Sequence, residues 1–383
     1  MTEALITPSM LEWARSRAEL SIAFVAERLN VAPDKIAQWE KGDLHPSFRQ
    51  AQRIAQILHI PFGFLFLQNP PSSTPPVADF RSLHHAARNH FSVEVLDLIS
   101  DLESKQDWYR DYLLELNKEH VNFLGQFTEE SSPAHIAQDI SDKLQLTQEK
   151  ITACSNWQTY YSLLTDSIES HGILVMRSGI VGSNTHRPLS VNEFRGIALY
   201  DKMAPIIFIN GRDAKSAQLF TLAHELAHLW LGKSAITNSP IDSLHTQSTI
   251  ESLCNSVAAE LLVPKNTFIA HWKKGIPLHE QLAKLTKIFK VSELVLARRA
   301  YELDEISEET LKKIYAEQQS RPKNTNSTGG NAYNTLPIRN SKTFTKAVIQ
   351  QSLMSKLLLR DAGKLLGTSP ASIRKLADHL RTN

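Results

Sequence analysis

The sequence predicts a mainly α-helical protein with a small β-sheet, in which helix-turn-helix modules lie near the two ends of the chain. Most of the chain has apolar residues at helical spacing, as in Phe91–Leu116. Two short runs, Gly172–Met176 and Pro205–Asn210, are bounded apolar segments rich in isoleucine and valine, and they predict strands. Near each end, two short helical patterns are joined by a tight turn, which is the arrangement of a helix-turn-helix.

Composition excludes several classes of protein. The 383 residues are 42% hydrophobic and 21% charged, which is too apolar for a disordered chain. A net charge of +2 creates no overall field that would require nucleic acid or an anionic membrane. The two cysteines, Cys154 and Cys254, exclude a disulfide scaffold and a four-cysteine zinc site. The first residues lack the apolar core of a signal peptide, and the longest apolar stretch, Ile60–Leu67, is too short to span a membrane. We therefore expect a cytoplasmic protein without a membrane partner.

Shifts in composition predict the domain boundaries. A proline-rich stretch and a polar, asparagine- and glycine-rich stretch interrupt the helical patterns and predict two linkers. The expected order is a helix-turn-helix domain (1–68), a linker (69–80), a central domain (81–320), a second linker (321–339) and a basic helical module (340–383).

The first helix-turn-helix is predicted from Ile22–Leu29 and Pro33–Lys41. With the WEKG that ends its second helix and the HPS that follows, it resembles the DNA-binding domain of XRE-type repressors. The resemblance implies contacts to double-stranded DNA from Lys35, Gln38 and Lys41. Residues 1–70 carry seven basic and seven acidic side chains, however, so a helical bundle that contacts protein is an equally open interpretation.

The run TLAHELAHLW predicts a metal site. His224 and His228 are four residues apart, so on a helix both imidazoles point the same way and suit two ligands of a tetrahedral zinc ion. Glu225 lies beside the metal, where it could take a proton from a water molecule at the open ligand position. The alternative is a solvated helix face, because histidine and glutamate are common on helix surfaces.

A second helix, IESLCNSVAAELLVP, offers the third ligand. Glu251 is the preferred candidate, and Asn255, one turn later, could orient a ligating histidine. Glu260 competes with Glu251, but the nine residues between them place the two on opposite helix faces. Cys254 is an alternative extra ligand, although a lone cysteine on an apolar face is usually a small buried residue. The donor that stabilises a developing oxyanion stays open between His245 and Tyr200.

The segments RGIALYDKMAPIIFIN, FTLAHELAHLWLG and ESLCNSVAAELLVP together resemble the ImmA/IrrE family of zinc metallo-endopeptidases. The resemblance covers roughly residues 80–317 and implies a zincin-like metallopeptidase domain with one zinc ion per chain. It implies that His224, His228 and Glu251 ligate the zinc and that Glu225 is the catalytic base. It also implies that the strand at Pro205–Asn210 pairs with an extended protein substrate.

Two later segments also have helix-turn-helix patterns. Residues 278–303 predict either a packing element or a DNA contact. Residues 340–383 carry eight basic and two acidic side chains, a net charge of +6, so Arg374 and Lys375 are candidate DNA contacts. The alternative for this second segment is a solvated basic helical tail.

The preferred hypothesis is a zinc-dependent endopeptidase that cleaves a partner regulatory protein, such as a transcriptional repressor or an antitoxin, in a stress response. The alternative is a DNA- or partner-binding transcriptional regulator in which the zinc site is structural or latent. An intact Glu225 favours the enzyme, because a purely structural site has no use for a base between its two histidines. The sequence leaves the oligomeric state open.

Overall fold

A computed structural model describes residues 3–18, 20–70, 91–237, 248–320 and 332–382. The chain divides into two compact units, Met1–Leu96 and Asp97–Asn383. The fold class predicted from the sequence is confirmed, since the protein is mostly helical and has one small four-stranded sheet among its described residues.

The first unit is a helical domain with its own apolar core, in which Ile36 and Trp39 are completely buried. Ser21 accepts a hydrogen bond from the Phe24 amide and so begins the first helix of the predicted helix-turn-helix. Asn30, in the left-handed conformation, ends that helix. The helices are α1 (Pro8–Arg17), α2 (Ile22–Leu29), α3 (Pro33–Lys41), α4 (Phe48–Ile57) and a 3₁₀ helix (Phe62–Phe66).

The second unit contains the sheet, with strand order β1-β3-β2-β4. Strands β1 and β3 are parallel, and the β2–β3 and β2–β4 pairs are antiparallel. The strands are β1 (Leu174–Ser178), β2 (Gly196–Leu199), β3 (Ile206–Asn210) and β4 (Ala235–Thr237).

The predicted pairing of Pro205–Asn210 with a substrate is wrong. This segment forms β3, which lies inside the sheet with β1 on one side and β2 on the other. All five residues of β3 are buried, because an interior strand packs on both faces and has both edges hydrogen-bonded. Among the described strands, β1 and β4 have the free edges.

Helices surround the sheet, and the two longest apolar ones carry the predicted metal ligands. Helix α9 packs on β2 and β3, and α10 packs on α9. The helices are α5 (Val93–Glu115), α6 (Pro133–Lys143), α7 (Gln148–Ala153), α8 (Trp157–Ser170), α9 (Lys215–Trp230), α10 (Thr249–Leu262), α11 (Lys265–His271), α12 (Leu278–Phe289), α13 (Glu293–Glu302), α14 (Glu308–Ser320), α15 (Ala332–Arg339), α16 (Lys342–Leu353), α17 (Leu359–Leu366) and α18 (Pro370–Thr382). None of the helices that the structure describes has the length and apolar character needed to cross a membrane.

The basic carboxy-terminal segment belongs to the second unit. The predicted linker 321–339 ends in a helix, α15, which packs on β1 and α16. Leu336 is buried there, so one apolar residue in a polar stretch secures a helix that composition alone does not indicate.

A buried carboxylate attaches α16 to α8. Glu169, only 7% exposed, accepts hydrogen bonds from the backbone amides of Lys342 and Thr343, at 3.2 and 3.1 Å. The Thr343 hydroxyl donates to it at 3.0 Å. These amides are in the first turn of α16, where no helical acceptor exists and where a negative charge is favoured. Asp166 adds a surface ion pair with the Lys342 Nζ at 2.7 Å.

We expect Glu169→Ala to lower the free energy of unfolding by about 2 kcal/mol or more, because it leaves buried helix amides without an acceptor. The first-turn amides of α16 should then exchange faster with deuterium. The control is Asp166→Ala, which removes an exposed ion pair and should change stability by less than about 1 kcal/mol. Equal effects of the two substitutions would contradict this account.

Candidate metal centre

Helix α9 places the two predicted histidine ligands side by side. His224 and His228 lie one turn apart on a helix that packs on the sheet, and they are 2% and 1% exposed. Their imidazole centroids are 4.9 Å apart, and the two Nε2 atoms are 3.1 Å apart. The two nitrogens therefore point at one place.

Helix α10 brings a carboxylate to the same place. The Oε2 atom of Glu251 lies 3.2 Å from the His224 Nε2, and its Oε1 lies 3.3 Å from the His228 Nε2. These three side chains form a group whose possible ligand atoms all lie within 4.8 Å of one another. The Glu251 side chain is 23% exposed, so the group is more open on the side of α10 than on the side of α9.

The donor set and its spacing fit a zinc ion. Zinc binds histidine nitrogen and carboxylate oxygen at about 2.0–2.2 Å with tetrahedral geometry, which separates the ligand atoms by about 3.3–3.6 Å. The observed separations of 3.1, 3.2 and 3.3 Å are close to that range. Two imidazoles and one carboxylate also leave a fourth position open, as in catalytic rather than structural zinc sites.

Asn255 orients one of the histidines. Its Oδ1 lies 3.0 Å from the His224 Nδ1, so Nδ1 donates a proton to the amide oxygen and Nε2 is left with a free lone pair. This is the position and contact expected from the sequence, one helical turn after Glu251.

Glu225 is fully buried beside His224, and neither of its carboxylate oxygens has a hydrogen-bond partner among the described residues. Burial raises the pKa of Glu225 to about 8, because a charged carboxylate is disfavoured away from water. The neighbouring His224 and the Thr237 hydroxyl of β4 oppose this rise. A buried carboxylate without donors fits a site that receives a cation or a protonated ligand.

Gly196 of β2 makes room for that carboxylate, and sequence reasoning missed it. A Cβ at residue 196 would lie 2.3 Å from the Glu225 Oε1, closer than atoms can approach. The sequence contains one clue, because a glycine inside a strand often marks the close approach of another group. Without the fold, nothing identifies which group approaches Gly196.

The electrostatics favour an anionic Glu251 between the imidazoles. Burial raises the pKa of Glu251, but hydrogen bonds from His224 and His228 outweigh burial and hold it well below the usual range. For His224, burial lowers the pKa, and the bond to Glu251 reverses the effect and raises it. The pKa of His228 is lowered, chiefly by burial.

The competing residues are occupied elsewhere. Glu260 forms an ion pair with Arg299 and accepts a hydrogen bond from the Lys265 amide at 3.0 Å. Cys254 is completely buried in the apolar core, which raises the pKa of its thiol well above the usual value. Neither side chain is part of the group formed by the two histidines and Glu251.

The two candidates for oxyanion stabilisation differ in what can be said of them. His245 lies outside the described residues. The Tyr200 ring lies against Gly125 and Gly232, beyond the end of α9. Tyr200 thus packs against the turn that follows the helix.

The candidate DNA contacts lie on the second helices of two helix-turn-helix units. Lys35, Gln38 and Lys41 are exposed on or at the end of α3, and Arg374 and Lys375 are exposed on α18. All five side chains are therefore available at the surface of their own unit.

Comparison with known proteins supports these assignments at the level of domains. Residues 168–301 match the IrrE N-terminal-like domain, residues 11–65 match a helix-turn-helix family, and residues 340–379 match a domain of unknown function. The chain is also similar to the radiation response metalloprotease IrrE of Deinococcus radiodurans, with 32% identity over 97 residues. That similarity covers 24% of this chain and 30% of the relative.

The matched region contains His224, Glu225, His228 and Glu251, the residues that the fold assembles around one point. The protein therefore carries an IrrE N-terminal-like domain of the metallopeptidase type, preceded by an XRE-type helix-turn-helix.

Proposed function

We propose that the protein is a zinc-dependent endopeptidase that cleaves a partner regulatory protein. The observation that carries the proposal is the group formed by His224, His228 and Glu251, with an unpartnered Glu225 carboxylate beside it. The two histidines and Glu251 would hold one zinc ion per chain, and Asn255 would keep His224 in the tautomer that ligates.

Zinc bound there would supply a Lewis acid that polarises the scissile carbonyl and increases the acidity of water. Glu225 is then the group that moves protons. One of its carboxylate oxygens accepts a proton as water attacks the carbonyl carbon, and the same residue returns that proton to the leaving amine nitrogen. The absence of competing donors around Glu225 suits this role, because a carboxylate already bonded to several donors is a weaker base.

We propose a protein substrate of the repressor or antitoxin type, cleaved in the cytoplasm in response to stress. The printed name of the relative, a radiation response metalloprotease, supports a stress-linked protease. The helix-turn-helix of the first unit supports a regulatory setting, because such domains bind DNA or other regulators. The two cysteines are free thiols, which suits a reducing compartment.

The second candidate function is a DNA- or partner-binding regulator whose zinc site is structural or latent. The burial of His224, Glu225 and His228 favours it, since none of the three is more than 2% exposed. Glu225 distinguishes the two candidates, because an unpaired buried carboxylate destabilises a fold and has no purpose in a structural site.

Metal analysis should find one zinc ion per chain, and His224→Ala combined with His228→Ala should abolish binding. Glu251→Gln should weaken zinc binding markedly, since it removes the anionic ligand. The control is Glu260→Gln on the same helix, which alters the contact with Arg299 and should leave the zinc content of the folded protein unchanged. Zinc loss in the control alone would transfer the ligand role to Glu260.

Glu225→Gln should leave zinc content and thermal stability close to those of the original, because Glu225 is not a ligand in this proposal. Proteolysis should fall by about 10²–10⁴-fold, the usual effect of losing a general base. The measurement is mass spectrometry of fragments after incubation with repressors and antitoxins from the same cell. Unchanged cleavage would contradict the role of Glu225. If no zinc-loaded preparation cleaves any of these proteins, the regulator becomes the better proposal.

Gly196→Ala should reduce proteolysis at least tenfold while zinc stays bound, because the new methyl group displaces the Glu225 carboxylate and touches no proposed ligand. Gly63→Ala is the matched control, since a Cβ there meets no atom within 4 Å. Activity and zinc content should be measured for both variants. Full activity of Gly196→Ala would show that the position of Glu225 does not matter.

A further inference from the structure

Three helix-turn-helix units of the chain have the same spacing. In each, the first helix ends at a residue in the left-handed conformation, and the second helix begins three residues later. The left-handed residues are Asn30, Lys290 and Gly367, and the second helices begin at Pro33, Glu293 and Pro370. The units are α2–α3, α12–α13 and α17–α18, and we call them the first, middle and last units.

Burial follows the same register in all three units. The residues six and nine positions after the left-handed residue are buried: Ile36 and Trp39, Leu296 and Arg299, and Ile373 and Leu376. In the last unit, a Cβ on Gly363 would meet the Thr368 carbonyl oxygen at 2.7 Å, so the two helices approach closely there. The equivalent residue of the first unit is Ala26, another small side chain. The three units therefore share one tertiary arrangement and differ in what surrounds them.

The middle unit cannot place its second helix in DNA. Val295 and Ala297, on the remaining faces of α13, are buried in the same apolar core as α9 and α10. Arg299 is also buried, where it donates to the Val263 carbonyl oxygen at 3.0 Å. Of the two interpretations left open by the sequence, the packing element is therefore the one that the fold supports.

The first unit is exposed but electrically neutral. Residues 21–42 carry three acidic and three basic side chains. At the seventh and eighth positions after its left-handed residue, on the outer face of α3, it has Ala37 and Gln38. An uncharged pair on a neutral unit provides little attraction for phosphates.

The last unit is exposed and basic. The equivalent residues 358–379 carry four basic and two acidic side chains, a net charge of +2. Arg374 and Lys375 are exposed at the positions that Ala37 and Gln38 occupy in the first unit. On α17, Arg360 and Lys364 lie one turn apart and are 73% and 74% exposed.

We propose that the last unit, α17–α18, binds double-stranded DNA, with α18 in the major groove. Arg374 and Lys375 project from the first half of α18, the part of a recognition helix that contacts base edges and flanking phosphates. Arg360 and Lys364 of the preceding helix contact the phosphate backbone. Asp361 lies 3.4 Å from Arg360 and 4.0 Å from Lys364, and it neutralises only part of this surface. The interaction is separate from peptide hydrolysis and would stand if no substrate were ever cleaved.

The test is fluorescence anisotropy of the full-length chain with a labelled mixed-sequence duplex of about 30 base pairs, titrated between about 50 and 200 mM salt. Replacing both Arg374→Ala and Lys375→Ala should weaken binding about tenfold or more and reduce the log–log salt slope by about 1–2. The matched control is Lys35→Ala with Lys41→Ala, which removes the same charge from the second helix of the first unit. Its affinity should change less than about twofold.

Two further variants guard against loss of folding. Arg374→Lys keeps the charge and should retain most of the affinity, and Arg374→Gln with Lys375→Gln should repeat the loss seen with alanine. Equal thermal unfolding of all variants is the check. A larger loss from the control pair than from the Arg374 and Lys375 pair would overturn the proposal. So would an original protein that binds no duplex at about 50 mM salt, which would make this surface a protein contact.

Discussion

The packing of α10 against α9 is the constraint on which the candidate site depends. His224 and His228 are placed by one helix, but they form a three-ligand group only because α10 holds Glu251 3.2–3.3 Å from both. Cys254 and Val257 lie in the apolar core on α10, so burial of that helix fixes its rotation. A quarter-turn of α10 would bury Glu251 and expose apolar surface. Formation of the core and formation of the site are therefore the same event.

Sequence reasoning was strongest where the chemistry is local. His224, Glu225 and His228 are within five residues of one helix, and helical geometry alone puts the two imidazoles together. Glu251 and Asn255 required an argument about a second helix, and the structure places both where that argument put them. The mainly helical fold was predictable for the same reason, since the period of apolar residues is read within each segment.

What the sequence did not reveal depends on contacts between distant segments. Strands β2 and β4 are four and three residues long and, apart from Ile236 in β4, are buried, so they show no alternation that predicts a strand. Gly196 and Thr237 reach Glu225 from these two strands, and their relation to it exists only in the folded sheet. The interior position of β3 follows from strand order, which no local pattern determines. Helix α15 depends likewise on its packing against β1.

The three helix-turn-helix units show why spacing alone does not predict function. Each uses a left-handed residue and the same buried positions, because those features are required for two short helices to pack across a tight turn. The residues that face outward are not required for the fold, so they are free to differ. In the middle unit they are apolar and join the core, in the first they balance in charge, and in the last they are basic. The shared pattern therefore identifies the fold of each unit, and only the outward-facing side chains indicate what each unit contacts.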